Sequence, residues 1–268
     1  MDINKHNEDI DANQRRWFAK PALRAIYRSF YECVSAELTR RVNGAVVELG
    51  SGIGNIKEVI PDCIRTDIFP RPWLDRTENA YDLKFPADSL SNIILFDVFH
   101  HLEYPGTALR EFFRVLVPGG RLLIFEPCLS LFGLLVYGIF HPEAVALTRP
   151  ILWMAPPGWK PEDQNYFAAA SQATRLFLMP KYRPLLAHWR IHSIRRWTAL
   201  DYVLSGGYSK PQLYPTRALP LLRRISQCMD IFPALFATRM LAVLEKPDLS
   251  FNQSTVVRDM HLTHDATP

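Results

Sequence analysis

The stretch VVELGSGIGN, residues 46–55, places a short apolar run directly before glycines at positions 50, 52 and 54. The apolar run predicts a buried strand that ends at Leu49, and residues 53–60 predict a helix that follows at once. Glycine has no Cβ, so the backbone of such a turn can approach a ligand closely. A strand, a glycine-rich turn and a helix in this order predict a cradle for a nucleotide or a nucleoside.

Strands and helices alternate around this turn, and the alternation predicts a mostly parallel sheet with right-handed crossovers. Residues 15–41 carry apolar side chains at spacings of three, four and seven, which predicts an amphipathic helix or a helix pair. Further strands are predicted at residues 62–67, 92–97, 119–126, 189–195 and 239–245, and helices at 104–116, around 172–190 and at 219–229. The expected fold class is therefore α/β, with helices on both faces of the sheet.

The composition limits the class of protein. The chain has 268 residues, of which 48% are hydrophobic and 22% are charged, and these values exclude disordered, collagen-like and disulfide-scaffold chains. The four cysteines are scattered and the N-terminus is too polar for a secretory signal, so a reducing, cytoplasmic location is expected. The longest apolar stretch, residues 129–140, is too short to span a bilayer but can lie on one, which leaves peripheral membrane contact open.

The net charge of +4 is unevenly distributed along the chain. Residues 1–130 carry 16 Lys and Arg against 18 Asp and Glu, whereas residues 131–268 carry 15 against 9. The C-terminal half therefore either offers a basic surface to an anionic substrate or a membrane, or has an ordinary solvated face. No nucleic-acid-binding signature accompanies the charge, so no nucleic-acid partner is expected.

The register of the glycines separates two cofactor classes. A dinucleotide fingerprint needs its third glycine at position 55, which is Asn55. The pattern is instead acid-x-G-x-G-x-G, with Glu48 two residues before Gly50, and a carboxylate there suits a ligand with a positive amino group. These residues resemble motif I of the class I S-adenosylmethionine-dependent methyltransferases, and residues 92–127 are similar to the methyltransferase type 11 pattern at nearly every position.

The resemblance covers about residues 44–127. It implies a Rossmann-like class I methyltransferase sheet, mostly parallel with its last strand antiparallel, that binds S-adenosylmethionine. Asp67 stands where the family holds the ribose hydroxyls, and residues 79–85 look like the segment that lines the adenine, although Asn79 replaces the usual Asp. The implied cofactor-binding residues are Glu48, Gly50, Ser51, Gly52, Asp67, Asn79, Ala80, Tyr81 and Asp97.

One departure from the family concerns the segment after the second strand. Residues 67–80 include Pro70 and Pro72, and they are too short and broken for the usual helix. One side of the sheet is therefore expected to be open or covered by the N-terminal helix.

Catalytic groups are expected beyond the carboxyl ends of the strands, where the sequence delivers His100 and His101. A histidine of near-neutral pKa can take a proton from an acceptor hydroxyl, so either one is a candidate general base; the alternative role is to cap the following helix. His141 and Asp163 are candidate substrate-binding residues or ordinary loop residues. Cysteine and histidine show no metal-ligand spacing, so no metal is expected.

The chain divides into five expected segments. They are an N-terminal helical segment that covers the cofactor site (1–41), the S-adenosylmethionine-binding core (42–127), an α-helical substrate cap insertion (128–188), the completion of the sheet (189–246) and a polar tail (247–268). The cap is apolar in its first half and basic in its second, which suits a small-molecule acceptor, but the same surface can instead bury itself in a homodimer.

The predicted function is methyl transfer to a small molecule by in-line displacement, with O-methylation of a natural-product, sugar or lipid-linked acceptor as the leading form. The alternative is a noncatalytic S-adenosylmethionine-binding protein or partner scaffold. Methylation of RNA or protein is disfavoured, because residues 97–100 read Asp-Val-Phe-His rather than the N-P-P-F/Y type of loop that such acceptors usually need.

Overall fold

A seven-stranded sheet forms the centre of the fold, and the computed structural model describes residues 3–139 and 143–248. The strands are β1 (Ala45–Leu49), β2 (Ile64–Asp67), β3 (Arg76–Thr77), β4 (Leu90–Phe96), β5 (Leu116–Pro127), β6 (Arg190–Trp197) and β7 (Arg239–Glu245). Their order across the sheet is β3-β2-β1-β4-β5-β7-β6. β7 runs antiparallel between β5 and β6, and the remaining pairings are parallel. The predicted mostly parallel sheet with an antiparallel last strand is therefore confirmed.

Helices flank the sheet on both faces. They are α1 (Ile3–Ala19), α2 (Pro21–Ala36), α3 (Pro105–Val115), α4 (Leu131–Ile139), α5 (Gln172–Leu178), α6 (Leu200–Ser205), α7 (Leu219–Met229) and α8 (Pro233–Phe236). Within the part of the chain that the structure describes, no helix combines the length and the apolar character needed to cross a bilayer.

Strand β4 is buried along its whole length and divides its side chains between two cores. Ile93 packs in one core with Phe112 of α3, and Ile94 packs in the other with Leu23 and Phe30 of α2. Successive side chains of a strand point to opposite faces, so an uninterrupted apolar run serves both cores. Helix α2 thus covers the face of the sheet that receives no helix from the segment after β2.

The helix predicted over residues 53–60 is wrong. Only a short 3-10 helix, Asn55–Glu58, follows the glycine turn. Gly50, Gly52 and Gly54 all have positive φ, so the turn continues to position 54 and leaves six residues before Pro61. Six residues are too few to offset the cost of nucleating a stable α-helix.

Prolines also set two other helix boundaries. Helix α5 ends at Leu178, before Pro180, and the chain continues as a 3-10 helix over Pro180–Leu186 instead of the α-helix predicted towards residue 190. The N-terminal pattern resolves into a pair of helices that meet at Lys20 and Pro21. Helix α1 already begins at Ile3, because the polar leader before residue 15 is helical as well.

Candidate active site

A cavity of about 430 Å³ opens at the carboxyl ends of the parallel strands. The glycine turn after β1, Asp67 at the end of β2 and the segment 97–102 after β4 line it, and helix α1 adds His6 and Ile10 to its wall. A crevice beyond the carboxyl ends of the strands is where open α/β sheets bind ligands. The fold therefore brings together, in one cavity, most of the side chains that the sequence singled out.

The glycine turn has a backbone that only glycine adopts without strain. Gly50, Gly52 and Gly54 have φ values of +71°, +51° and +71°. A Cβ added to Gly50 would lie 2.5 Å from Val98 Cγ2, whereas a Cβ added to Gly52 would meet only Ile10 Cδ1, at 3.4 Å. Val98, which follows β4, thus leaves no room for a side chain at position 50. Gly52 keeps the cavity wall open to a ligand.

Asp67 presents a buried carboxylate to the cavity. The N–H of Gly52 donates to its Oδ2 at 2.9 Å and the N–H of Ile68 to its Oδ1 at 2.7 Å. His6 Nε2 of α1 lies 3.5 Å from Oδ1. Burial raises the pKa of Asp67, while His6 and the two N–H groups act in the opposite direction. Ser51 lines the same wall, and its N–H donates to the backbone of β2.

Glu48 lies behind the glycine turn rather than on the cavity wall. The side chains of Val47 and Leu49 enter the core on the α3 side, so the alternation of the strand turns Glu48 towards α2. There it is 1% exposed and its Oε1 accepts a hydrogen bond from the Tyr31 hydroxyl at 3.0 Å. Burial raises the pKa of Glu48 to about 7. Glu48 is not among the residues of the cavity wall, and its contact with the cofactor stays a prediction.

The segment expected to line the adenine contributes its first two residues to the cavity. Asn79 and Ala80 line the wall. Asn79 Oδ1 accepts the N–H of Tyr81 at 3.0 Å, and this tight turn directs the Tyr81 ring into the core. There the Tyr81 hydroxyl accepts the N–H of Tyr104 at 3.1 Å, and the ring packs edge-on against Trp159. Tyr81 therefore does not line the cavity, in contrast to the sequence prediction.

His100 is buried between two carboxylates. Its Nδ1 lies 2.6 Å from Glu126 Oε2, and its Nε2 lies 3.0 Å from Glu143 Oε2. Burial disfavours the cation, but Glu126 and Glu143 outweigh it and raise the pKa of His100 well above its usual value. Carboxylates only accept, so a doubly protonated His100 donates to both. The second oxygen of Glu126 accepts the N–H of Phe99 at 2.6 Å, which fixes the turn that carries both histidines.

His101 differs from its neighbour in both protonation and access. Its Nδ1 lies 2.8 Å from the carbonyl oxygen of Phe167. A carbonyl only accepts, so Nδ1 carries the hydrogen of the neutral ring and Nε2 carries a lone pair. Burial and the positive charge of His100 lower the pKa of His101 to about 4. The side chain is 29% exposed, lines the cavity and places Nε2 3.6 Å from Glu143 Oε1.

Asp97 reaches the cavity from the end of β4 with a strained backbone, because its φ is +56°. Its Oδ1 forms an ion pair with Nη1 of Arg239, the first residue of β7. Arg239 also lines the cavity, and its guanidinium lies 4.3 Å from the ring centre of Tyr202. The antiparallel course of β7 explains this position, because its first residue pairs with Pro127 at the carboxyl end of β5.

The structure describes one of the two predicted substrate-binding residues, Asp163. His141 lies outside the described residues. Asp163 is exposed and its Oδ2 accepts the N–H of Lys160 at 3.0 Å, so it closes a local turn. The adjacent Gln164 and the nearby Glu143 line the cavity instead.

Several wall residues were not predicted as site residues. Arg239, Tyr202 and Tyr208 line the wall but belong to none of the motifs in the sequence. The absence of metal-ligand spacing also did not anticipate that His100, His101 and Glu143 would offer ligand atoms within 4.8 Å of one another. Arg239 directly precedes the apolar run 240–244, and this was the available sequence signal for a buried charge.

Comparisons with known proteins agree with this geometry. A family model described as "Methyltransferase domain", of the type 11 group, matches residues 47–124. The comparison with curated proteins found no match. Two similar solved structures are S-adenosylmethionine-dependent methyltransferases, and their likeness is in the fold.

One, from Thermotoga maritima, is described as a possible histamine N-methyltransferase; it has 15% identity and a TM-score of 0.50, over 87% of this chain and 94% of that one. The other, from Archaeoglobus fulgidus, has 13% identity and a TM-score of 0.50, over 83% of this chain and 94% of that one.

The residues present fit S-adenosylmethionine. The open wall at Gly52, which a Cβ would narrow, and the carboxylate of Asp67 lie in one cavity with Asn79 and Ala80. The cavity volume of about 430 Å³ lies within the range of small-molecule sites. Together with the family match and the fold, this site identifies S-adenosylmethionine as the cofactor. Residues 47–124 match the methyltransferase domain, and the chain has the fold of S-adenosylmethionine-dependent methyltransferases.

Proposed function

We propose that this methyltransferase acts on a hydroxyl oxygen of a small molecule and that His101 is its general base. The observation that carries the proposal is the Nε2 atom of His101, an unprotonated hydrogen-bond acceptor on the wall of the cofactor cavity. Methyl transfer to a hydroxyl requires that the oxygen lose its proton, and a positioned histidine within hydrogen-bond reach supplies this step.

The cofactor would be held by the glycine turn and by the acidic end of β2. Gly50, Ser51 and Gly52 offer backbone close to the ligand, and Asp67 offers carboxylate oxygens to the ribose hydroxyls. Asn79 and Ala80 would border the adenine. When bound, S-adenosylmethionine supplies an electrophilic methyl group, and the protein has mainly to align the acceptor with it.

His101 suits the base role better than His100. The low pKa of His101 keeps its ring neutral at physiological pH, and the Phe167 carbonyl fixes the tautomer so that Nε2 faces the acceptor as a lone pair. His100 is a cation with both nitrogens committed to carboxylates. We assign His100 to a positioning role, in which it holds Glu143 beside His101.

The walls of the cavity favour a small acceptor over a macromolecule. Helix α1, the insertion after β5 and residues 202–209 all contribute to the lining. A cavity lined by several elements suits a compact ligand. This supports a small-molecule acceptor and leaves the noncatalytic scaffold as the alternative.

The test compares His101→Gln with His188→Gln, a matched change at an exposed histidine outside the cavity. Turnover is measured as O-methyl product by mass spectrometry, with phenols and aliphatic alcohols as acceptors, and S-adenosylhomocysteine affinity is measured by calorimetry. We expect His101→Gln to lower kcat at least about 100-fold and to leave the affinity unchanged, while His188→Gln changes neither.

Two results would contradict the proposal. An equal loss of turnover and affinity in His101→Gln would reduce His101 to a structural role. Tight cofactor binding with no methyl transfer to any hydroxyl acceptor would favour the noncatalytic alternative.

A further inference from the structure

Three side chains of the kinds that bind transition metals meet on the wall of the cavity. His100 and His101 lie in a short 3-10 turn, Phe99–His101, after β4, and Glu143 comes from the segment after α4. Glu143 Oε2 lies 3.0 Å from His100 Nε2, and Glu143 Oε1 lies 3.6 Å from His101 Nε2. One ligand atom from each residue lies within 4.8 Å of the other two. Two imidazole nitrogens and one carboxylate therefore form a compact histidine–glutamate cluster.

The separations within this cluster suit a small transition-metal ion. Zinc binds imidazole nitrogen at about 2.0–2.1 Å and carboxylate oxygen at about 2.0–2.2 Å, in a tetrahedral arrangement. Neighbouring ligand atoms of such an ion are therefore about 3.4 Å apart. The two nitrogen–oxygen separations of the cluster, 3.0 Å and 3.6 Å, lie on either side of this value. Small side-chain movements thus bring the three groups to coordination distance.

Both imidazole rings are already turned for coordination through Nε2. His100 Nδ1 lies 2.6 Å from Glu126 Oε2, and His101 Nδ1 lies 2.8 Å from the carbonyl oxygen of Phe167. Both partners accept, so each ring carries a hydrogen on Nδ1. Histidines that bind metals almost always donate the other ring N–H to a carboxylate, a carbonyl or water, which fixes the ring and its coordinating nitrogen. The orientation of the rings supports a metal site independently of the distances between ligand atoms.

The cluster can be reached from the cavity, because all three of its residues line the wall. The side chains of His101 and Glu143 are 29% and 20% exposed, while His100 is buried. Three protein ligands leave a fourth tetrahedral position for water or for a ligand in the cavity. Among divalent ions, zinc suits this donor set, because imidazole binds zinc well whereas magnesium and calcium prefer oxygen ligands.

We propose that His100, His101 and Glu143 form a zinc site on the cavity wall, and that zinc bound there reversibly inhibits methyl transfer. The ion takes the lone pair of His101 Nε2 and replaces the hydrogen on His100 Nε2, whose proton passes to solvent. Bound zinc thus occupies the nitrogen that would otherwise accept the proton of the substrate hydroxyl. The inhibition rests on the proposed function, whereas the site rests on the geometry of the cluster.

The binding experiment uses the full chain loaded with S-adenosylhomocysteine. Zinc chloride is titrated into it in competition with a chromophoric chelator, and the titration is repeated with excess magnesium chloride. We expect one zinc ion per chain, with a dissociation constant of about 1 µM or lower, and no competition from magnesium.

Two ligand variants and their matched controls locate the ion. Glu143→Gln replaces the anionic ligand with a neutral amide, and His101→Gln removes an imidazole; each should weaken zinc binding at least about tenfold, since changes even in the groups that orient metal ligands cost this much. Glu162→Gln and His188→Gln make the same changes at exposed residues outside the cavity and should retain the affinity.

The activity experiment measures the O-methyl product of the unmodified chain with and without zinc. We expect inhibition over the concentration range in which zinc binds, and recovery of turnover when a chelator removes the ion. Unchanged or increased turnover with zinc bound would overturn the inhibition and the base role of His101, while the site itself would stand.

The site has its own refutations, which do not depend on turnover. If the unmodified chain binds no zinc, or binds magnesium equally well, the zinc site is overturned whether or not the variants fold. Zinc affinity that both Glu143→Gln and His101→Gln leave unchanged also overturns it, because the ion would then be an adventitious one elsewhere on the surface. Zinc binding at the cluster without any O-methyl transfer supports the site while the proposed function fails.

Discussion

The substitution Gly50→Ala tests how the glycine turn is built. The new Cβ would sit 2.5 Å from Val98 Cγ2, in a backbone with φ of +71°. The left-handed conformation costs an L-residue about 1–2 kcal/mol, and forcing a methyl group into an occupied space costs about 1–3 kcal/mol. We therefore expect a loss of about 2–5 kcal/mol in the free energy of unfolding.

The steric part of this loss is measured with a double-mutant cycle. Val98→Ala removes both γ-carbons that the new methyl group would meet, so Gly50→Ala in that background should cost only the backbone strain of about 1–2 kcal/mol. Urea unfolding followed by circular dichroism gives all four free energies. Gly138→Ala, in the last turn of α4 with nothing within 4 Å of its new Cβ, is the control and should not destabilise the protein.

A loss below about 1 kcal/mol for Gly50→Ala would refute this reasoning. So would an equal loss with and without the Val98 γ-carbons, because the clash would then not be its cause.

Three further outcomes follow from the structure. The pKa of His101 is lowered from 6.5 to about 4, so the ring loses its base form only when the pH falls towards 4. We therefore expect a pH–rate profile in which kcat/KM is not reduced by this group near pH 6.5 and declines as the pH approaches 4. Lys20 Nζ donates to the carbonyl oxygens of Ser205 at 3.0 Å, Gly207 at 2.7 Å and Lys210. Lys20→Met should therefore lower the free energy of unfolding by about 1–3 kcal/mol, as measured by urea unfolding. An unchanged urea midpoint would show that these hydrogen bonds do not stabilise the fold. Asp67→Asn replaces one acceptor oxygen with an NH₂ group, so S-adenosylhomocysteine affinity should fall about tenfold or more in calorimetry, and an unchanged affinity would remove Asp67 from the ribose site.

The sheet could be predicted because its strands carry a strong local signal. The run 93–96 is apolar on both faces, and a strand of this composition needs cover on both sides. The helix over residues 53–60 could not be excluded in the same way, since its apolar spacing is helical. It fails because the positive φ of Gly54 shortens the segment before Pro61, and backbone angles of this kind follow from packing rather than from spacing.

The candidate site was predictable where a motif lies on one strand end, as for Asp67 and the two histidines. It was not predictable where the fold joins distant segments. Arg239 and Asp97 are 142 residues apart in sequence yet form one ion pair, and Glu143 reaches His100 from an insertion without a motif. Pairs of this kind depend on strand order, which no local pattern encodes.

The insertion of β7 between β5 and β6 has a consequence for the order in which activity is acquired. Chain synthesis proceeds from the N-terminus, so the cofactor wall from residues 50–101 is made well before Arg239 leaves the ribosome. The cavity wall is completed only when this last strand pairs between β5 and β6, a step with long loop closures that slow folding. A nascent chain that stops before residue 239 would therefore contain the glycine turn and Asp67 while lacking Arg239 from the cavity wall.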